Sequence, residues 1–169
     1  MMRGVAVAVC LAAGLTTGAA QAHAMPGSTM ILHPIPAGFE ATVSIPVSEL
    51  QAALGAGVTT DGAGREVLER YVRAHIAITG LDGRTWPMNV KDLQLRDGEP
   101  PVLALAMAFA RPPGAAPQKA HLRYDAVNHR VASHYVLVYL RGADPEGPLT
   151  PWGRLQFPFA DLPLDPGGR

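Results

Sequence analysis

Between residues 39 and 45 apolar and polar side chains alternate without a break. Phe39, Ala41, Val43 and Ile45 fall on one side, and Glu40, Thr42 and Ser44 on the other. A period of two is that of a strand with one buried face. Residues 28–33 read as a first short strand, stopped by Pro34 and Pro36. Pro46 ends the alternating strand. Ser48 then caps a short helix through Leu54, with Gln51 three residues on completing a capping box and Gly55 and Gly57 ending it.

Residues 55–64 form a Gly/Thr/Asp loop. Residues 65–71 begin helically, with Val67, Leu68 and Tyr71 on one side. From Val72 a period of two takes over, with Val72, Ala74, Ile76 and Ile78 opposed to Arg73, His75, Ala77 and Thr79. Asp82-Gly83 is a hairpin turn signal. Strands are expected at 85–88, 90–96, 102–110, 120–127, 133–141 and 155–159. The run 102–110 is apolar almost throughout, as a central strand is. Residues 111–118 form a Pro/Ala loop, and residues 161–169 a Pro/Gly-rich tail expected to be mobile or a linker. There is no internal repeat. Short strands separated by Gly and Pro predict an all-β fold, an Ig-like or related β-sandwich of seven to nine strands with one or two short helices.

The amino terminus follows a different pattern. Arg3 supplies a positive start, residues 5–15 are apolar and uncharged, and Ala20-Gln21-Ala22 is an A-x-A cleavage signal. This is the pattern of a secretory signal peptide over residues 1–22, so the protein is expected in the periplasm or secreted. Cleavage after Ala22 makes His23 the new amino terminus, offering an amine and an imidazole together. Cleavage after Ala24, through Ala22-His23-Ala24, removes it. The β-sandwich is expected over residues 23–160.

Composition narrows the class. Lys+Arg and Asp+Glu are 14 each, so neither nucleic acid nor anionic lipid is expected as a partner. Cys10 is the only cysteine and lies in the leader, which leaves the expected mature domain without disulfides or thiolate metal ligands. Val9 stands before Cys10 where a lipoprotein signal wants a small residue. After the leader no apolar run reaches the ~18 residues that span a bilayer.

Catalytic signatures are missing. There is no G-x-S-x-G and no phosphate-binding glycine loop. Ser133 and His134 are adjacent, so on a strand they point to opposite faces. A non-enzymatic protein is expected. The candidate chemistry is histidine, whose neutral imidazole takes copper, nickel or zinc. The densest group is Asp125, His129 and His134, with His121 upstream at an even spacing from Asp125. His129 and His134 approach each other if the flanking strands form a hairpin. His23 is the fifth candidate ligand. His75 and His33 read as hydrogen-bonded surface or edge residues, and Met30 as packing. Tyr135, Leu137 and Tyr139 share a face that forms either core or an exposed patch for a partner, with core the preferred reading. Val136, Val138 and Leu140 make the other face apolar too, so the strand is expected mid-sandwich or under another chain.

Four stretches carry a family pattern: "HAMPGS" after the leader, "FEATVSIPVSELQAAL", "VLERYVRAHIAITGLDGRTW" and "LRYDAVNHRVASHYVLVYLR". Together they resemble the exported N-terminal domain of HupE/UreJ-type membrane proteins, the hydrogenase/urease accessory family. In that family a soluble β domain precedes a bundle of membrane helices, and members are linked to nickel or related metal handling. The resemblance implies a domain that binds a transition-metal ion or meets a membrane protein partner. It does not imply a permease, because this sequence stops at Arg169, about where membrane helices would start. Convergence of His129, His134 and either His121 or His23 would mark a metal site. Scattered histidines with an exposed apolar patch or free strand edge would mark a structural or protein-interaction module instead.

Overall fold

Residues 28–46 form a hairpin: β1 (Ser28–Ile35) runs antiparallel to β2 (Gly38–Pro46) across a two-residue turn. The computed structural model of the protein describes residues 27–116, 119–144 and 146–167. Residues 1–22, expected as a leader, and His23 lie outside the described residues. Pro34 does not stop β1, which runs on to Ile35 opposite Gly38. Gly38 is required at the turn. Its φ is 143°, and a Cβ there would overlap the Phe109 carbonyl oxygen.

Helix α1 (Val47–Leu54) follows with Pro46 at its N-cap and no side-chain cap. Ser48 therefore sits inside the first turn rather than capping it. Gly55 closes the helix in the left-handed conformation, its N–H donating to the Gln51 carbonyl. Helix α2 (Gly62–His75) is longer than expected, and the strand β3 (Ile76–Gly80) starts only after it. Residues 72–75 fit both periods. Leu68 and Val72, four apart and both buried, continue the helical stripe, and no Gly or Pro interrupts it. Glu69 makes i,i+4 ion pairs along α2 with Arg65 at 2.9 Å and Arg73 at 3.8 Å.

Beyond the turn at Gly83 the expected strand 85–88 is reduced to one bridge, Thr79 to Thr85. The Trp86 N–H donates to the Ile78 carbonyl beside that bridge, and its side chain packs on Phe39 in the core, ring centroids 5.6 Å apart. The chain continues through β4 (Met88–Arg96), β5 (Val102–Ala110), β6 (Ala120–Tyr124) and β7 (Tyr135–Arg141). The last two strands are β8 (Leu149–Gln156) and β9 (Asp161–Leu164). Strand β8 was hidden by Pro151 and Gly153, which an edge strand with a bulge against β7 tolerates. Strand β9 corrects the expectation of a linker: it pairs with β6, and Leu164 is buried.

The described residues thus make an all-β sandwich with two helices. A six-stranded sheet in the order β4-β5-β2-β1-β7-β8 packs against a three-stranded sheet in the order β3-β6-β9. Strands β1 and β7 are parallel; the other pairings are antiparallel. The core lies between the sheets. The large sheet contributes Met30, Leu32, Val43, Ile45, Leu105 and Val138, and the small one contributes Ile78, Leu122 and Tyr124. Leu50, Leu68 and Val72 close it from the helices.

Strand β7 corrects the reading of its faces. Val136, Val138 and Leu140 are the buried set, whereas Tyr135, Leu137 and Tyr139 point outward and stay partly exposed. Its neighbours in register decide this. Val136 and Val138 align with Ser28 and Met30 of β1, which face inward, and Leu137 and Tyr139 align with Thr29 and Ile31, which do not.

Candidate functional site

The expected metal ligands separate into different environments. His121 lies on β6 between Thr79 and Pro163 across the ladders, exposed on the outer side of the small sheet. Strand β6 ends at Tyr124, so the alternation linking His121 to Asp125 does not continue. His134 precedes β7 and is buried. His129 lies on the β6–β7 connection, exposed to solvent. Among the described residues no group of three or more His, Cys, Asp or Glu is arranged to hold a metal ion. The expected convergence of His121, His129 and His134 is therefore not found.

Two other constellations form. In the first, Ser28 of β1, His134 and Glu49 of α1 meet under the end of the large sheet. Ser28 Oγ is 2.9 Å from His134 Nε2, and His134 Nδ1 is 3.3 Å from Glu49 Oε2. The second contact has ion-pair range without hydrogen-bond alignment. Burial pushes the His134 imidazole below the ordinary histidine range, and the Glu49 charge opposes that shift. Tyr124 is enclosed nearby, its phenol pushed up by burial and partly restored by the Ser28 hydroxyl. Ser, His and Glu in that order are the elements of acyl-transfer chemistry. Here Ser28 is 0% exposed and His134 1%, so a substrate carbonyl has no route to Oγ in this conformation. The trio clasps three elements together.

The second constellation is built around Asp125. Its carboxylate Oδ1 accepts from His75 Nδ1 at 2.9 Å, and its backbone carbonyl accepts from His129 Nδ1 at 3.0 Å. The two imidazoles stack, centroids 4.1 Å apart and planes within 13°. Tyr71 packs against both rings, at 4.6 and 5.9 Å. The Val127 N–H donates to the Tyr71 hydroxyl oxygen at 2.9 Å. Burial raises the Tyr71 phenol, the Val127 bond lowers it, and the Asp125 charge raises it further. Val127 is itself unusual. Among the described residues it is the only non-glycine with positive φ, at 69°, although it is β-branched. Such a conformation costs about 1–3 kcal/mol and persists only where its surroundings hold it. Here the Tyr71 bond, full burial of the side chain, and donation by Arg130 and Val131 N–H to its carbonyl hold it.

Of the five expected ligands, then, Asp125 and His129 come together, His121 and His134 stand apart, and His23 lies outside the described residues. His75, Ser28 and Glu49 were missed as partners. The signal for His75 was its spacing of four from Tyr71, which shares a helix face once α2 is carried to its end. Ser28 and Glu49 carry no local signal.

A third feature is the outer face of the six-stranded sheet. Across it one row in register reads Asp92, Ala106, Thr42, Ile31, Tyr139 and Pro151, and another reads Gln94, Ala104, Ser44, Thr29, Leu137 and Arg154. Small side chains on β5 and β2 leave a depression of about 360 Å³ beside the Ile31–Tyr139 ridge. Ile31, Thr42 and Ala106 line its floor, with Glu40, Lys91 and Arg141 at the rim. Lys91 pairs with Glu40 across the strands. Arg154 lies over the Tyr135 ring, 4.3 Å from its centroid.

No protein-family model matches the chain, and no curated protein matches it. Among the described residues no helix is long and apolar enough to cross a membrane.

Proposed function

We propose that this protein is an exported, non-enzymatic binding module. In this reading it presents the outer face of its six-stranded sheet to a membrane protein partner outside the cytoplasm. The observation that carries the reading is the division of β7. A strand apolar on both faces has only one of them in the core, and Tyr135, Leu137 and Tyr139 stand beside Ile31 on an uncovered sheet.

Six strands about 4.8 Å apart and eight or so residues long give a face roughly 25 Å on each side. That approaches the ~800 Å² each partner gives to a standard interface. Aromatic and aliphatic residues with Arg at the border are the usual composition of such a patch. Charges of both signs at the rim, Glu40 with Lys91 and Arg141, suit a protein surface better than a polyanion. The edges suit docking less. Strand β4 carries Lys91 and Asp92 at a bulge, β8 carries Pro151 and a bulge, and β9 is four residues long with Pro163. These are devices that discourage strand addition. The likeness to HupE/UreJ-type extracytoplasmic domains supports the export and the membrane location of the partner.

Photo-crosslinking in intact cells tests the proposal. A photoreactive residue at Ile31 or Tyr139 is expected to give a discrete adduct with a membrane-fraction protein, abolished by Leu137→Lys. A probe at Arg123, on the outer side of the small sheet, is expected to give none. Equal labelling from both sheets, or no adduct from the large one, rejects the reading.

A further inference from the structure

We propose that the β8–β9 turn, Phe157-Pro158-Phe159, is a lipid-docking tip whose two phenyl rings enter the interfacial region of a bilayer. The proposal rests on the reading above that the protein is exported and works beside a membrane protein, and it adds how the sandwich is held there. Phe157 is 61% exposed and Phe159 75%, and neither ring belongs to the core. Two backbone bonds close the turn. Phe159 N–H donates to the Gln156 carbonyl at 2.7 Å, and Gln156 N–H donates to the Phe159 carbonyl at 3.1 Å. The next carbonyl, of Ala160, accepts from the Tyr124 N–H of β6 at 2.8 Å, which braces the turn against the small sheet. Two large apolar rings are thus held in water by a fixed hairpin. Folding gains nothing from their exposure, and a rigid tip loses little conformational entropy on binding.

Shape and neighbours suit a bilayer. The rings stand at a two-residue turn, not within a broad flat patch like the outer sheet face. A protein partner would need a pocket cut to this convex tip, whereas the headgroup region of a bilayer closes around any apolar shape. Phenylalanine is among the side chains that surface-bound proteins bury ~5–10 Å deep at the boundary of headgroups and acyl chains. Polar side chains stand just behind the rings: Arg154, two residues before Gln156, and Asp161, the first residue of β9, are both exposed. One charge of each sign at headgroup depth accords with the balanced charge of the chain. Apolar burial, rather than attraction to anionic lipid, then supplies the binding.

The path of the chain points the same way. Ser28 opens β1 in register with Val136, and a Cβ on Gly27 would overlap the Tyr135 ring. Tyr135 pairs in turn with Gln156 at the base of the tip. The chain therefore enters the sandwich at the tip's end. Only residues 23–27 separate the expected leader from Ser28, and five residues span at most about 18 Å. While that leader is in the membrane during export, the tip is kept at its surface. Strands β7 and β8 run away from this end, so a docked tip stands the outer face of the large sheet upright beside a neighbouring membrane protein. Leu81, also exposed at 62%, lies at the other end of the small sheet. It follows Gly80, which pairs with Ala120, whereas the tip sits by Tyr124.

The test is tryptophan fluorescence of the full chain on phosphatidylcholine vesicles, plain or with brominated acyl chains, after subtraction of the parent's emission. Phe159→Trp is expected to shift to the blue on both vesicles and to lose at least half its intensity on the brominated ones. Leu81→Trp, at the far end, is expected to do neither, which separates docking of the tip from attachment through the leader. Phe157→Ser in the Phe159→Trp chain is expected to cut the quenching by at least half. Circular dichroism should stay unchanged in that chain, because both side chains are exposed. Salt at about 0.5 M should leave the quenching in place, since it screens charges and not apolar burial. No shift at position 159, equal quenching at 81 and 159, or quenching indifferent to Phe157→Ser overturns the proposal. So does a tip that stays unquenched on vesicles but cross-links to a membrane-fraction protein in cells, which makes it a protein anchor. The vesicles contain no protein, so these outcomes are independent of cross-linking from the sheet face.

Discussion

His134 ties distant parts of the chain together. One ring nitrogen reaches Ser28 at the start of β1, and the other faces Glu49 in α1. Because burial holds its imidazole below the ordinary range, the folded protein resists a proton that the unfolded chain accepts. Between the ordinary histidine value of about 6.5 and the lower folded value, the unfolded state binds more protons. Stability from this group is therefore full above about pH 6.5 and falls as pH drops through that interval. Urea unfolding between about pH 8 and pH 5 should show the decline, and His134→Ala should flatten it. At neutral pH the same substitution should cost about 2 kcal/mol, because it leaves Ser28 and Glu49 without their partner. An equal slope in the variant would place the pH dependence elsewhere.

Among the strands, β7 separates packing from surface most sharply. Its inward residues Val136, Val138 and Leu140 face the core, and its outward ones meet solvent beside β1. Leu137→Lys should change stability by no more than about 0.5 kcal/mol, as at other partly exposed sites. Val138→Lys should leave little folded protein, since it buries an unpaired charge. Thermal melts of the two variants check the assignment, and similar melting points would show that the faces are misassigned. The alternation of β2 and the apolar run of β5 were legible in the sequence because each has a period set by its own backbone. The choice between the two apolar faces of β7 was not. It depends on its parallel neighbour β1, more than a hundred residues away in the chain. Helix α2 ran past its expected end for a related reason: residues 72–75 satisfy both periods, and the packing of Leu68 and Val72 selects the helical one.

At the level of the complete sandwich, the three-stranded sheet depends on residues close to the carboxyl terminus. Strand β9 covers the edge of β6 and buries Leu164. It also lays Leu162 against Gly153 of β8, where a side chain would clash. A chain ending at residue 160 should lose about 2–4 kcal/mol, from the buried Leu164 returned to water at ~1.5–3 kcal/mol and a smaller share from the partly buried Leu162. It should also self-associate through the freed edge of β6. Differential scanning calorimetry and sedimentation decide the point: an unchanged melting temperature would restore the linker reading of residues 161–169.

Reading along the chain was enough to assign the all-β class, the alternating strand β2 and the apolar strand β5. Each rests on neighbours two to four residues apart, where covalent geometry dictates which side chains share a face. Which histidines meet was decided only in three dimensions. His121, Asp125, His129 and His134 are close in sequence, yet only Asp125 and His129 are joined. Asp125's other ring comes from His75, fifty residues earlier, and His134 pairs with Ser28 across 106 residues. Sheet order and the parallel β1–β7 crossover set those encounters. They follow from packing two sheets and two helices over one shared core, a condition on the whole chain that no local spacing expresses.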